Sequence, residues 1–234
     1  MIDRHSHILP QMDDGSRSTE ESLQMLTALA AQGVTDVAAT PHFYASENGP
    51  DRFLARRARS WQQLRPHLTA SLPRVHLGAE VLFFEGIAAF DGLPRLCLSG
   101  ADTLLLEMPF RPWSQRMLDE LLELADRPDV TVLLAHMERY LPYVAEPDWR
   151  RMARSGLYIQ SNADFFCGFS TRRKALRLLS EGRIHVLGTD CHNMERRAPR
   201  MDEAVRVIAR ALGDDTVRRL EEQARRLLER GGAA

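Results

Sequence analysis

The sequence predicts an α/β fold, a parallel β/α barrel of seven strands, on three observations. Short apolar runs alternate with helical patterns along the chain, the order that successive βα units produce. Seven of these runs have the length of a strand and the right flanking signals. Their C-terminal ends then carry His5 and His7, His42, Glu80, Glu107, His136, Asn162, and Asp190 with His192. A barrel gathers such ends at one mouth, where the chemistry of these folds resides, whereas an open doubly wound sheet would spread them along a line.

The strand-like runs cover residues 2–7, 34–40, 75–81, 103–108, 130–136, 157–162 and 185–190. The clearest helix follows the first run, over residues 18–32. Ser18 and Glu21 have capping-box spacing, and Leu23, Leu26, Leu29 and Ala30 line one face. Met117, Leu118, Leu121, Leu122 and Ala125 mark a helix before the fifth strand by the same periodicity. Two helices close the chain, over residues 201–212 and 214–230, the second an extra C-terminal helix dense in Glu and Arg whose charges read as a solvated face. No repeat or low-complexity linker interrupts the pattern, so residues 1–234 read as a single domain.

Composition narrows the function. A chain of 234 residues, 44% hydrophobic, can bury a full core. With Lys+Arg at 31 against Asp+Glu at 32, the formal net charge is -1, and no overall basic field favours nucleic acid. No apolar run approaches the ~20 residues that span a bilayer, and polar residues from Asp3 to His7 interrupt any signal-peptide pattern. Cys97, Cys167 and Cys191 form an odd set without Cys-x-x-Cys spacing, against a disulfide framework. These features fit a cytoplasmic protein without direct membrane insertion.

His5 and His7 are two apart, so on a strand both imidazoles leave the same face and can share a divalent metal. Singly, each strand-end residue has a structural explanation: a backbone cap, a helix N-cap, or an ion pair with Arg. Glu107 resists it, because Leu104, Leu105 and Leu106 precede it and Met108-Pro109 follow. A carboxylate buried at the end of such a run needs a partner. Five of the eight histidines fall at strand ends, so the joint explanation is a multinuclear metal site.

The motifs that carry this pattern are Ile2-Asp3-Arg4-His5-Ser6-His7, Asp13-Asp14-Gly15, Thr40-Pro41-His42, Gly78-Ala79-Glu80 and Leu105-Leu106-Glu107. Ala135-His136-Met137-Glu138-Arg139-Tyr140 and Thr189-Asp190-Cys191-His192-Asn193, running on to Arg197-Ala198-Pro199, complete them. In this order they span nearly the whole chain, and the sequence resembles the PHP (polymerase and histidinol phosphatase) superfamily. Within it the chain is similar to the bacterial manganese-dependent protein-tyrosine phosphatases of capsule and exopolysaccharide operons. The resemblance implies a distorted (β/α)7 barrel of PHP type and three divalent metal ions, Mn first, with Fe or Zn as alternatives. By the same resemblance one ion sits on His5, His7, Glu80 and Asp190, a second on bridging Glu80 with Glu107 and His136, and a third on Asp14, His42 and His192. Asp13 and Asp3 are left as supporting groups. Three positions depart from the family pattern: Phe43 where relatives often have His, Met137 where Pro is common, and Cys191 where a small residue is usual.

Three such ions with four anionic ligands and a hydroxide leave a net charge of about +1, suited to a dianionic phosphate monoester. The resemblance assigns Arg139 and Arg197 to gripping the phosphoryl group, a role that suits planar guanidinium forks. It implies hydrolysis of phosphotyrosine by a metal-activated hydroxide, on a phosphotyrosine protein that is a membrane-associated bacterial tyrosine kinase. The competing thiol signature, Cys-x5-Arg, is matched by Cys167 with Arg173 and by Cys191 with Arg197, but neither match has the glycine-rich setting of a phosphate-cradling loop. Two other functions stay open: a histidinol-phosphatase-like small-molecule phosphomonoesterase on the same scaffold, and a non-catalytic PHP-like binding domain. A short loop over residues 44–52 favours an open mouth that admits a peptide tyrosine.

Overall fold

The computed structural model describes residues 1–229. Among these residues nine short strands pair in parallel throughout, in two runs of neighbours. The first run is β1 (Ile2–Ser6), β2 (Asp36–Ala39) and β4 (Arg74–Leu77). The second is β3 (His42–Phe43), β5 (Glu80–Leu82), β6 (Thr103–Glu107), β7 (Thr131–Leu134), β8 (Tyr158–Asn162) and β9 (Val186–Gly188), in that order.

The two runs are continuations of each other. Pro41 has no N–H to give a ladder and separates β2 from β3. Gly78-Ala79 separates β4 from β5, yet Gly78 N–H donates to Ala39 O at 2.8 Å and Glu80 N–H to Pro41 O at 3.0 Å across the break. At the other side, Asp190 N–H donates to His5 O at 2.8 Å and His7 N–H to Cys191 O at 2.9 Å. The parallel sheet therefore curls until the segment after β9 lies beside β1. The seven expected runs all contain strand, and the expected runs at 34–40 and 75–81 end in these kinks.

Helices cover the outside: α1 (Thr19–Ala31), α2 (Pro50–Leu64), α3 (Gln115–Ala125), α4 (Glu146–Met152), α5 (Ala163–Cys167), α6 (Arg172–Ser180), α7 (Met201–Leu212) and α8 (Asp214–Glu229). Ser18 caps α1 as expected, its Oγ accepting from Glu21 N–H at 3.2 Å, but the Glu21 carboxylate turns to Arg17 N–H, at 2.8 Å. The α1 residues that go inside include Met25, Leu26 and Leu29, and those of α3 are Met117, Leu118, Leu121 and Leu124. β6 and β7 are buried on both faces, which is why Leu104–Leu106 and Val132–Leu134 read as unbroken apolar runs. The loop expected over 44–52 is shorter, because Pro50 occupies the first turn of α2, where its missing N–H is no loss. The last helix was expected to reach Arg230, which lies outside the described residues.

The N-terminal ends of the strands hold the fold together. Ile2 and Val186, which open β1 and β9, pack with Leu105 and Leu133 from the middle of β6 and β7 against Ala224 and Leu227 of α8. Thr103 Oγ1 donates to Leu227 O at 2.7 Å. At the start of β2, Asp36 accepts from Arg74 Nε at 2.9 Å and lies 3.0 Å from His76 Nε2 and 2.9 Å from Thr35 Oγ1. Burial acts to raise its carboxyl, but Arg74, His76 and Thr35 outweigh it and hold the group at about 2. A folded-state value below the unfolded one, ~3.9, contributes stability above that value and loses it as pH falls towards about 2. Asp36→Asn is accordingly expected to destabilise the chain by roughly 1–2 kcal/mol at pH 7 in denaturant titrations, with the gap from wild type closing between ~pH 4 and ~pH 2.

Candidate metal centre

The C-terminal ends of the strands do the opposite work: they crowd charge. β1 delivers His5, and His7 follows it by two residues; both are fully buried. β3 delivers His42, β5 delivers Glu80 and β6 ends on Glu107. His136 follows β7 by two residues, and Asp190 and His192 follow β9. Asp14 comes from the turn after β1, its side chain largely exposed. All nine of the expected donors meet in one cluster.

The centre of that cluster is Glu80. Its Oε2 lies 3.2 Å from His5 Nε2, 3.2 Å from His7 Nε2 and 3.0 Å from His42 Nδ1. Its Oε1 lies 2.9 Å from His136 Nε2, which is also 3.4 Å from Glu107 Oε1. Asp190 Oδ1 is 3.5 Å from the Nε2 atoms of both His5 and His7. Asp14 Oδ1 is 3.6 Å from His42 Nε2 and 3.3 Å from His192 Nε2. The donor atoms fall into four groups: His7, Asp14, His42 and His192; His5, His7 and Asp190; His5, Glu80 and His136; and His42, Glu80 and Glu107. The first contains the whole expected third set together with His7. The expected first and second sets are spread over the other three, with Glu80 central to two of them.

This donor set fits divalent cations. Glu80 Oε2, His42 Nδ1 and His192 Nε2 are buried with no hydrogen-bond partner among the described residues, although other donor atoms surround them. His5 Nε2 and His7 Nε2 approach to 3.1 Å. Nitrogen lone pairs and carboxylate oxygens aimed at a common point, without thiolate, suit Mn, Fe or Zn. The titration behaviour agrees. Burial opposes charge on His136, but the Glu107 and Glu80 carboxylates outweigh it and hold the imidazole at about 9. Burial would likewise raise Glu80, yet His5, His136 and His42 keep it well below the ordinary range. His192 is pushed down to about 4 by burial and by His7. Such a cluster demands positive charge.

Second-layer groups aim the donors. Asp13 Oδ2 is 2.7 Å from His7 Nδ1 and accepts from His42 N–H at 2.9 Å, while its Oδ1 accepts from Gly15 N–H at 2.9 Å. Only glycine fits at 15: a Cβ there would lie 2.3 Å from His7 O. Asp3 accepts from Thr189 N–H at 2.8 Å and Thr189 Oγ1 at 2.6 Å, tying β1 to the segment that carries Asp190. His136 and Asp190 have positive φ, 27° and 52°, in a region that side-chain-bearing residues rarely adopt. Each departure costs about 1–3 kcal/mol and turns the side chain into the cluster.

Gln160, in the middle of β8, escapes a search for strand-end ligands. Its Oε1 accepts from His136 N–H at 2.7 Å and lies 3.3 Å from His5 Nδ1. Its Nε2 donates to Asn162 Oδ1 at 2.8 Å, and Asn162 Nδ2 donates to Asp190 Oδ2 at 2.9 Å. One amide thus links three donors. The available signal was the polar run Gln160-Ser161-Asn162 inside a buried strand.

Arg139 and Arg197 stand at the lip, each about a third exposed, and both reach Asp190: Arg139 Nη2 to Oδ2 at 2.6 Å and Arg197 Nη2 to Oδ1 at 2.7 Å. Beside them a cavity of about 440 Å³ is lined by Asn162, Asp164, Phe165 and Thr171, among others. The thiols are unsuited to attack. Cys191 is fully buried and burial pushes its thiol far up; Cys167 is buried too and raised to about 12.

The chain as a whole is similar to known proteins. A family profile described as "Capsular polysaccharide synthesis, CpsB/CapC" matches residues 1–229. The chain is 30% identical to the tyrosine-protein phosphatase YwqE of Bacillus subtilis, covering 97% of this chain and 91% of that one. It is 28% identical to the tyrosine-protein phosphatase CpsB of Streptococcus pneumoniae, over 91% of each chain. Among solved structures, one from work on YwqE and CpsB, described as unique metal-dependent tyrosine phosphatases, superposes with a TM-score of 0.82 at 24% identity over 98% of this chain and 95% of that one. An amidohydrolase from Bifidobacterium longum subsp. infantis shares the broader fold, with a TM-score of 0.55 at 16% identity over 97% of each.

The Asp13 contacts give a direct test. Asp13→Asn is expected to weaken divalent-metal affinity about 10- to 100-fold in competition titrations with a fluorescent chelator, with an unchanged far-UV spectrum.

Proposed function

The chain belongs to the CpsB/CapC capsular polysaccharide synthesis family, and from that footing we propose that it is a metal-dependent phosphotyrosine-protein phosphatase. The observation that carries this reading is the convergence of nine nitrogen and oxygen donors on the buried Glu80 carboxylate, whose Oε2 has no hydrogen-bond partner among the described residues, with two arginines at the lip. We read the curled sheet as a distorted seven-stave barrel within a single domain, and the donors as holding three divalent ions, manganese first. The substrate is a phosphotyrosine protein, and the family's link to capsule synthesis favours a membrane-associated bacterial tyrosine kinase. We place the chain's action in the cytoplasm. No helix among the described residues is long and apolar enough to cross a membrane.

Divalent cations held by these donors would lower the pKa of a water towards ~7 and offset phosphoryl charge, the chemistry that in-line hydrolysis without a covalent phosphoenzyme needs. The side chains supply the rest. His5, His7, His42, His136 and His192 would present ring nitrogens, His136 giving up the proton that Glu107 and Glu80 otherwise hold on it, and Glu80, Glu107, Asp14 and Asp190 would present carboxylates. Asp13 and Gln160 keep the rings turned inward. Arg139 and Arg197 are placed to take phosphoryl oxygens, bidentate forks matching the charge that builds there. Phenolate, with a pKa near ~10, leaves readily enough that no buried acid is required.

Chelation is expected to abolish hydrolysis of a phosphotyrosine peptide and Mn to restore it, while iodoacetamide changes nothing; the reverse pattern would overturn the metal reading. On a Mn-loaded panel, phosphotyrosine peptide should be preferred over phosphoserine peptide and histidinol phosphate. A preference for histidinol phosphate would move the assignment to small-molecule phosphatases. His136→Ala and Asp190→Ala should lower turnover by about two to three orders of magnitude with the fold retained, and Arg139→Ala should lower kcat/KM about a hundredfold.

A further inference from the structure

The mouth of the cluster has an aromatic side. Among the described residues, the large apolar side chains most open to solvent are Phe110, Tyr143, Phe169 and Met194, and all four lie in segments that follow C-terminal strand ends. Phe110 is the one in contact with the site. Its ring centroid is 5.6 Å from the His136 ring, and the Arg139 guanidinium carbon lies 5.6 Å from the Phe110 centroid. Behind it the ring stacks on fully buried Tyr140, centroids 5.9 Å apart and planes 21° apart, and Tyr140 rests in turn on Trp113 at 5.2 Å. Phe110 is thus held from behind, yet 46% of its surface stays in water beside a phosphate-gripping arginine.

In an aryl phosphate a single ester oxygen separates the phosphorus from the ring. A phosphoryl group held by Arg139, whose guanidinium lies 5.6 Å from the Phe110 centroid, leaves its ring able to reach the 4.5–7 Å over which aromatic pairs associate. An alkyl phosphate offers no such face. A second ring at the mouth, Tyr44, stacks on His42 at 5.3 Å and lies in the field of Glu107, Glu80 and Asp14. That wall is carboxylate-rich; the Phe110 wall is apolar and next to a cation.

We propose that Phe110 is the specificity-determining residue that receives the aryl ring of the substrate, so that the site selects aryl over alkyl phosphates by a contact separate from its grip on phosphate. The inference rests on the phosphatase reading above. It is tested in the Mn-loaded enzyme with phosphotyrosine peptide, phenyl phosphate and phosphoserine peptide. Phe110→Ala should lower kcat/KM about tenfold on both aryl substrates, mainly through KM, and less than about twofold on phosphoserine peptide; Phe110→Tyr should retain wild-type values. Equal losses on aryl and alkyl substrates would reduce Phe110 to a buttress for Arg139 and overturn the proposal. A shift of preference in Tyr44→Ala but not in Phe110→Ala would move the ring contact to the other wall and overturn it equally. Calorimetry with phenylphosphonate and methylphosphonate separates the two layers of inference. If wild type turns over no phosphate ester yet loses its preference for phenylphosphonate in Phe110→Ala, the phosphatase reading fails and the ring contact stands. If neither protein prefers phenylphosphonate, the ring contact fails whatever the turnover.

Discussion

Everything at the mouth depends on one carboxylate oxygen. Glu80 Oε2 faces three imidazole nitrogens at 3.0–3.2 Å without a proper hydrogen bond to any, in a place that water does not reach. A buried carboxylate left alone would cost several kcal/mol, so the chain surrounds it with groups that bring positive charge. The same demand explains the raised His136, the depressed Glu80 and the convergence of two guanidinium groups on Asp190. Removing any single member leaves the others more exposed to the same imbalance, which is why the cluster is best understood as a unit.

The scaffold meets that demand by dividing labour along its strands. The N-terminal ends carry Asp36 with its Arg74 and His76 partners, the Thr103 bond to Leu227, and the cover of α8. None of these touches the donor cluster. Because parallel strands all point the same way, their other ends collect the loops, and each loop can vary without disturbing the base. The kinks at Pro41 and at Gly78-Ala79 belong to this plan: they let His42 and Glu80 start short strands of their own at the rim, in direct register with one another.

Much of this was legible because strand periodicity and residue chemistry point the same way. His5 and His7 could be assigned to one face from spacing alone, and Glu107 stood out because three leucines lead into it. What stayed hidden has physical reasons. Gln160 is a neutral amide in mid-strand, and nothing in its own position separates an inward amide from an outward one; its role appears only once β8 lies between His5 and His136. Asp13 and Asp14 are adjacent and chemically alike, so sequence left Asp13 undecided between supporting roles. The folded turn, pinned by Gly15, sends Asp13 back to His7 and leaves Asp14 facing His42 and His192. The Glu21 side of the capping box bonds one residue earlier than its spacing implies, since a flexible carboxylate takes whichever free N–H is nearer.

The left-handed backbone at His136 and Asp190 has an evolutionary corollary. Glycine would relax either position, so a search for sturdier variants by backbone idealisation would reach, besides Gln11, two sites where the gain removes a donor. Robustness and an intact donor cluster are in direct opposition at these two peptide units, and homologues that no longer need the cluster would be free to resolve that conflict in favour of robustness.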